Sequence, residues 1–271
     1  IENLGFEDTL PFRDFDYLDE NFVGVDIAPV PALLEAIREV KDADELAKLR
    51  RSADVAVAAF NEMVPQLRVG MTEREVANLL DRIIKEKGAD KASFDTIVAS
   101  GYRGALPHGT YSDKPIAAGE LVTIDFGYFV DGYTSDITRT LAFGELDEES
   151  KRIYDVTLAA QRATIDAVKP GVANATLDAV ARDIITEAGY GKEYNHATGH
   201  GIGLDIHEGP ILSASSPAED VVREGMLLTI EPGIYVAGKG GVRIEDDVVV
   251  TADGFENLTA GIPTGLIVID K

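Results

Sequence analysis

From residue 42 to 67 the apolar positions recur at helical spacing, and Asp42 and Glu45 open the run at the interval of a capping box, which predicts a long helix. Thr72 and Glu75 repeat that interval ahead of a second helix, with Val76, Leu79, Leu80, Ile83 and Ile84 as its apolar stripe and Gly88 placed to stop it in a left-handed conformation. The pattern then turns to β. Residues 121–130 and 133–143 are β-rich runs divided by Asp131-Gly132, a strong signal for a two-residue hairpin. Residues 1–30 carry neither periodicity. They are aromatic and acidic, with an extended stretch near 23–27 and prolines at 29 and 31, and they read as a tail or linker.

The pattern occurs twice. A shift of 101 residues lays Arg51 on Arg152, Asp54 on Asp155, Val55 on Val156, Ala59 on Ala160, Gly70 on Gly171 and Gly88 on Gly189. With five further residues allowed, the stretch from Gly119 to Gly127 matches that from Gly225 to Gly233 as Gly-x-Leu-x-Thr-Ile-acid-x-Gly. A period this long predicts two pseudo-symmetric half-domains, each helix, helix, then strands, rather than a solenoid.

Acidic residues interrupt the strands. With Asp131-Gly132 as the turn, Asp125 faces Thr138 and Asp136 faces Gly127, so the two aspartates are diagonal neighbours on one face, roughly 7–8 Å apart at the backbone. In the second half, a loop at 237–241 sets Glu231 opposite Asp247 and Glu245 opposite Gly233, which makes the two glutamates diagonal as well. A single strand acid is ordinarily a solvated decoration. Four at matching places among β-branched and aromatic residues repel one another unless a cation neutralises them, so they point to a metal site.

Composition narrows the chemistry. Among 271 residues, 25 Lys and Arg face 48 Asp and Glu, a formal net charge of −23 that repels nucleic-acid phosphates and anionic lipid. No nucleic-acid partner is expected. Apolar residues make up 45% of the chain but form no run near the roughly 18 needed to cross a bilayer, so no membrane association is expected either. Zero cysteines exclude disulfides, thiolate metal ligands and a cysteine nucleophile, leaving carboxylates and imidazoles to hold any metal. The chain does not begin with Met and shows no secretory leader, which suggests a piece of a longer, cytoplasmic protein.

The chain contains only four histidines. Three fall in His196-Ala-Thr-Gly-His200-Gly-Ile-Gly-Leu-Asp-Ile-His207, between the two acidic hairpins, and His108 stands seventeen residues before Asp125. A lone histidine is usually a surface or core residue, but concentration of all four beside glycine-rich turns and acids favours chemistry, with the glycines allowing backbone to approach a ligand closely. The glycine spacing is wrong for a dinucleotide fingerprint, and no Walker loop, Gly-x-Ser-x-Gly elbow or His-Glu-x-x-His helix is present.

Asp125, Asp136, His200, Glu231 and Glu245, with His108, His196 and His207, resemble the site pattern of the pita-bread metallopeptidases. The motifs His-x-x-Gly-His-Gly-Ile-Gly-Leu-x-x-His-Glu, Thr-Ile-Glu-Pro-Gly-Ile-Tyr and Gly-Val-Arg-Ile-Glu-Asp, with Arg243 and Asp246 flanking Glu245, are similar to the Xaa-Pro branch that contains aminopeptidase P and Xaa-Pro dipeptidase. The likeness spans about residues 40–271. It implies an α+β pita-bread fold, with duplicated halves around a curved, mostly antiparallel sheet. Residues 1–30 would be the remnant of an N-terminal domain and linker, and residues 31–271 the catalytic domain.

The resemblance further implies that Asp125 binds one metal ion, that His200 and Glu231 bind another, and that Asp136 and Glu245 bridge the two. Such oxygen-rich ligands suit Mn²⁺ ahead of Co²⁺ or Zn²⁺. Glu231 is the candidate proton acceptor, and His108 and His207 are the candidates for stabilising the carbonyl oxygen. His196 is expected at the proline-side pocket, and Arg243 and Tyr235 in support of ligands or substrate. The expected activity is an Xaa-Pro aminopeptidase acting on peptides with proline second, homodimeric at full length, with an Xaa-Pro dipeptidase as runner-up and a non-catalytic binding protein third.

Overall fold

A computed structural model describes residues 1–7, 9–30 and 33–270. The opening segment is β1 (Asn3–Phe6), α1 (Phe12–Asn21) and β2 (Asp26–Pro29), with β1 parallel to β2. The expected tail is therefore a small β–α–β unit. A short helix, α2 (Leu33–Glu39), follows where the pattern had predicted none.

The first half runs α3 (Ala43–Met63), α4 (Glu73–Glu86), β3 (Lys91–Ala92), β4 (Ile97–Ser100), β5 (Glu120–Phe126), β6 (Tyr128–Val130), β7 (Tyr133–Thr134) and β8 (Ile137–Phe143). The second runs α5 (Glu148–Asp166), α6 (Asn174–Glu187), β9 (Gly199–Gly201), β10 (Glu208–Leu212), β11 (Leu227–Ile230), β12 (Gly233–Val236), β13 (Gly240–Arg243), β14 (Asp246–Val250), β15 (Phe255–Asn257) and β16 (Val268–Ile269). Both predicted capping boxes form, at Asp42 with Glu45 and at Thr72 with Glu75.

The duplication is visible in the backbone. The helices α4 and α6 have the same length at an offset of 101, and Gly88 and Gly189 follow them at φ 104° and 97°. The residues before those helices make matching isolated bridges, Thr72 to Pro115 and Ala173 to Val221. Gly70 and Gly171 donate to Ile116 and Val222 at the same distance, 2.9 Å.

Two main sheets lie inside the helices, in the orders β16-β8-β5-β4 and β10-β9-β11-β14-β15, antiparallel except for β16 against β8. Alternation along β5 explains the layering. Val122, Ile124 and Phe126 join Phe60 and Met63 of α3 and Leu80 and Ile84 of α4 in one core, with the Phe60 and Phe126 rings stacked 5.9 Å apart, while Thr123 and Asp125 project to the other face. In the second half α5 and α6 cover Ile234, Val242 and Ile244 in the same manner. No helix among the described residues is long and apolar enough to cross a membrane.

The first hairpin keeps the predicted register, with Asp125 opposite Thr138 and Phe129 opposite Thr134 around Asp131 and Gly132, both at positive φ. It breaks at Gly127, where a Cβ would collide with the Ser135 carbonyl, and this interruption frees Asp136 from strand pairing. The second hairpin differs from expectation by two residues. Gly233 pairs with Arg243 and Thr229 with Asp247, so the flanking register sets Glu231 level with Glu245 rather than diagonal to it. The cause is the turn, which closes over residues 237–239 with Gly238 at φ 76° instead of needing five residues. Both glutamates keep the predicted face, because a two-residue slip preserves side-chain parity.

Candidate metal centre

Irregular backbone at the strand ends delivers the acids to one place. Asp136 sits between β7 and β8, Glu231 just beyond β11, and Glu245 between β13 and β14. With Asp125 on β5 and His200 on β9 they line a cavity of about 300 Å³, together with His108, His196, His207, Tyr235 and Arg243. Every site residue expected from the sequence lines this one cavity. Phe94, Ile97, Pro107, Ala197 and Ile206 complete the lining, an apolar contribution the motifs did not reveal.

The glycines around His200 serve a different purpose from the one expected. A Cβ on Gly199 would strike the Thr229 carbonyl and one on Gly201 the Gly209 carbonyl, so these glycines let strands approach each other rather than a ligand. The His200 backbone N–H donates to Thr229 Oγ1 at 3.0 Å. Its ring Nδ1 bonds the Gly201 carbonyl at 3.0 Å, which requires the proton on Nδ1 and turns Nε2 towards the acids. Nε2 stands 3.3 Å from Glu231 Oε1 and 3.7 Å from Asp136 Oδ2. Ligand atoms of Asp136, His200 and Glu245 all lie within 4.8 Å of one another.

Burial and mutual repulsion push the Asp136 carboxyl well above the usual carboxylate range; burial and the charges of Glu231 and Asp125 do the same to Glu245. Asp125 is raised by burial against the pull of Arg243. For Glu231, burial works upward but its hydrogen bond to His200 prevails and holds it below the usual value, while His200 is raised despite burial by the same partner. Asp125 Oδ1 is buried without a hydrogen-bond partner. Crowded acids, an unpartnered carboxylate oxygen and an imidazole nitrogen facing carboxylates are what a divalent cation satisfies, so this donor set fits metal.

Arg243 ties the site together. Its guanidinium donates to Asp125 Oδ2 at 2.5 Å, to Thr138 Oγ1 at 3.0 Å, to Tyr235 Oη at 2.8 Å and to the Pro107 carbonyl at 3.3 Å. Thr138 in turn donates to Glu245 Oε2 at 2.6 Å. Because Tyr235 Oη accepts from Arg243, its own proton goes to His196 Nε2 at 2.9 Å, and His196 Nδ1 donates to the Ala197 carbonyl at 2.8 Å. Burial lowers the His196 pKa, consistent with this neutral ring whose two nitrogens are both engaged.

Several supporting residues escaped sequence reasoning. Fully buried Arg139 bonds Asp246 Oδ1 at 2.7 Å and helps fix the start of β14, next to Glu245. Asp247 Oδ2 accepts from the Asp136 backbone N–H at 3.1 Å. Glu73, wholly buried at the start of α4, accepts from Ser100, Arg103 and Ser112 and so pins both ends of the loop bearing His108. An arginine inside a β-branched run and three consecutive acids at 245–247 were the available signals for the first two.

Residues 47–252 match the model of metallopeptidase family M24. The chain is 42% identical over 259 residues to the Xaa-Pro dipeptidase of Pyrococcus horikoshii, covering 96% of this chain and 73% of that one. An Xaa-Pro dipeptidase structure from Bacillus anthracis superposes with a TM-score of 0.95 at 45% identity, over 99% of this chain and 75% of the other. An X-Pro aminopeptidase structure from Thermotoga maritima does so with a TM-score of 0.93 at 40% identity, over 99% and 76%. These likenesses agree with the α+β pita-bread architecture of duplicated halves about a mostly antiparallel sheet.

Proposed function

This chain belongs to metallopeptidase family M24, and from that premise we propose that it hydrolyses the bond between an N-terminal residue and a following proline, with divalent cations held by Asp125, Asp136, His200, Glu231 and Glu245. The observation that carries this reading is the convergence of four carboxylates and Nε2 of His200 in a cavity with apolar walls. Asp136 and Glu245 would contribute to holding both of two ions, Asp125 to one of them and His200 with Glu231 to the other. The oxygen-rich set favours Mn²⁺, with Co²⁺ or Zn²⁺ as alternatives. When bound, the ions supply Lewis acidity towards the scissile carbonyl and acidify water for the attack.

The chain's own groups do the rest. Glu231, held ionised by its neighbours, takes the proton of the attacking water on a carboxylate oxygen and returns it to the departing proline nitrogen, which has no hydrogen of its own in the peptide. His207 and His108 offer ring N–H groups to the carbonyl oxygen as it gains charge. His196, its nitrogens committed, acts with Tyr235 as a fixed wall on the proline side. Arg243 favours the ionised form of Asp125 against the effect of burial and orients it.

Of the two Xaa-Pro specificities, the dipeptidase is the better supported, reversing the order expected from the sequence: the relatives bearing that name stand at 42% and 45% identity, against 40% for the X-Pro aminopeptidase. The test is turnover of the Mn²⁺-loaded protein on Xaa-Pro dipeptides, Xaa-Pro-Xaa tripeptides and Met-Ala peptides. Dipeptide-only cleavage is expected. Tripeptide cleavage would move the assignment to aminopeptidase, and preference for Met-Ala over every proline substrate would reject both.

A further inference from the structure

His207 lines the cavity from an irregular loop between two strands, β9 and β10, and no hydrogen bond among the described residues holds its ring. Its ring meets that of His200 edge-on, with centroids 4.5 Å apart. The backbone of the loop must therefore set its direction. That backbone is gripped on both sides of His207 from outside the two pseudo-symmetric halves. The Glu208 carboxylate accepts from the Asp205 backbone N–H at 2.9 Å, from Lys41 Nζ at 3.3 Å and from Arg38. Arg38 also bonds Asp205 Oδ2 at 2.6 Å.

This clamp is built to be rigid. The Lys41 side chain is 1% exposed and that of Glu208 6%, so the pair is largely out of water. The Lys41 backbone N–H is anchored to the Gly225 carbonyl at 2.9 Å, which fixes it to the body of the molecule. A Cβ on Gly203 would press on both the Glu208 carboxylate and Lys41 Cε, and one on Gly209 would strike the Glu39 carboxylate, so a larger residue at either position would displace the side chains that join the loop to α2. Parting the pair would leave an uncompensated buried charge, which holds the two side chains together.

We propose that Arg38 and Lys41 are positioning residues that aim His207 at the reacting carbonyl by holding Glu208, an inference that rests on the role given to His207 above. The residues do not line the cavity and touch no reacting group. Their removal frees the loop without disturbing the acids that hold metal.

The experiment compares Arg38→Met, Lys41→Met and the conservative Arg38→Lys, each in the wild-type and His207→Ala backgrounds, for metal content, kcat and KM on an Xaa-Pro dipeptide. The ring resonances of His207 are followed by NMR in the Zn²⁺-loaded, diamagnetic protein, where only four histidines contribute. The methionine variants should keep their metal and lose roughly 10-fold or more in kcat, with KM changing less than about 3-fold, and Arg38→Lys should recover most of the loss. The His207 resonances should shift or broaden, and neither methionine substitution should cost anything further once His207 is alanine. An equal loss in the His207→Ala background, or unmoved His207 resonances, would overturn the proposal. If His207→Ala itself retains full kcat, the catalytic role of His207 fails, while the resonances still decide whether the clamp orients the ring. Glu208→Gln, which weakens both pairs at constant volume, replaces any methionine variant that does not fold.

Discussion

At the level of single residues, the acids and histidines divide by what their loss should remove. Asp136→Ala takes away an oxygen placed between His200 and Glu245, so metal content and peptidase activity should fall together, as elemental analysis and turnover of the same sample would show. Full activity with two metals retained would contradict the sharing assigned to it. His207→Ala should keep its metal and lose about 10²–10³-fold in kcat, the usual effect of removing one donor to a developing oxyanion. Arg243→Met leaves Asp125 buried without its counter-charge and should destabilise the metal-free protein by about 3–5 kcal/mol in denaturant titration, with a smaller effect once metal supplies the missing charge. The cluster of acids that lines the cavity was legible in the sequence because acids in predicted strands are conspicuous. Glu73 and Arg139 were not, since their partners, Ser112 and Asp246, lie 39 and 107 residues away and only the fold brings them together.

Elements were legible in proportion to how local their causes are. The capping boxes of α3 and α4 and the Asp131-Gly132 turn are decided within four residues, and all three form as the sequence suggests. The β12–β13 register depends on how tightly a glycine-containing loop closes, which spacing alone does not fix, and there the expectation slipped by two residues. The path of residues 101–112, a 3₁₀ turn over Gly101–Ala105 followed by a loop, likewise follows from no local pattern; it is held by Glu73. Glu73→Ala should therefore strand the Arg103 guanidinium and the Ser100 and Ser112 donors, cost about 3–5 kcal/mol, and raise amide exchange across 101–112 while leaving α6 protected. Uniform loss of protection over both halves would show that Glu73 stabilises the whole domain rather than this loop.

Over the whole molecule, stability and metal are linked through the buried acids. Asp136, Glu245 and Asp247 are raised well above the ordinary carboxylate value and Asp125 is raised as well. A carboxyl whose folded pKa exceeds its unfolded one favours folding when protonated, so this contribution is present below about pH 4 and is lost as pH rises through the raised values. Cations held by Asp125, Asp136 and Glu245 would substitute for their protons. Chelation should therefore lower Tm more at pH 8 than at pH 5, and an equal drop at both would refute the linkage. The duplicated architecture was legible because glycines recur at fixed offsets, but the symmetry is not complete. Asp125 and Glu231 are true counterparts; continuing each hairpin register puts Asp136 in the place of Arg243, opposite Gly127 and Gly233, and Thr138 in the place of Glu245. In evolutionary terms, a self-paired ancestor of half this length would carry the same side chain at both copies of each position. It would have either two acids at the Asp136 site or two guanidiniums, and so lack the Asp125–Arg243 ion pair or the shared carboxylate. Joined in one chain, the two halves can carry different side chains at such matching positions, one an acid and the other the arginine that pairs with Asp125.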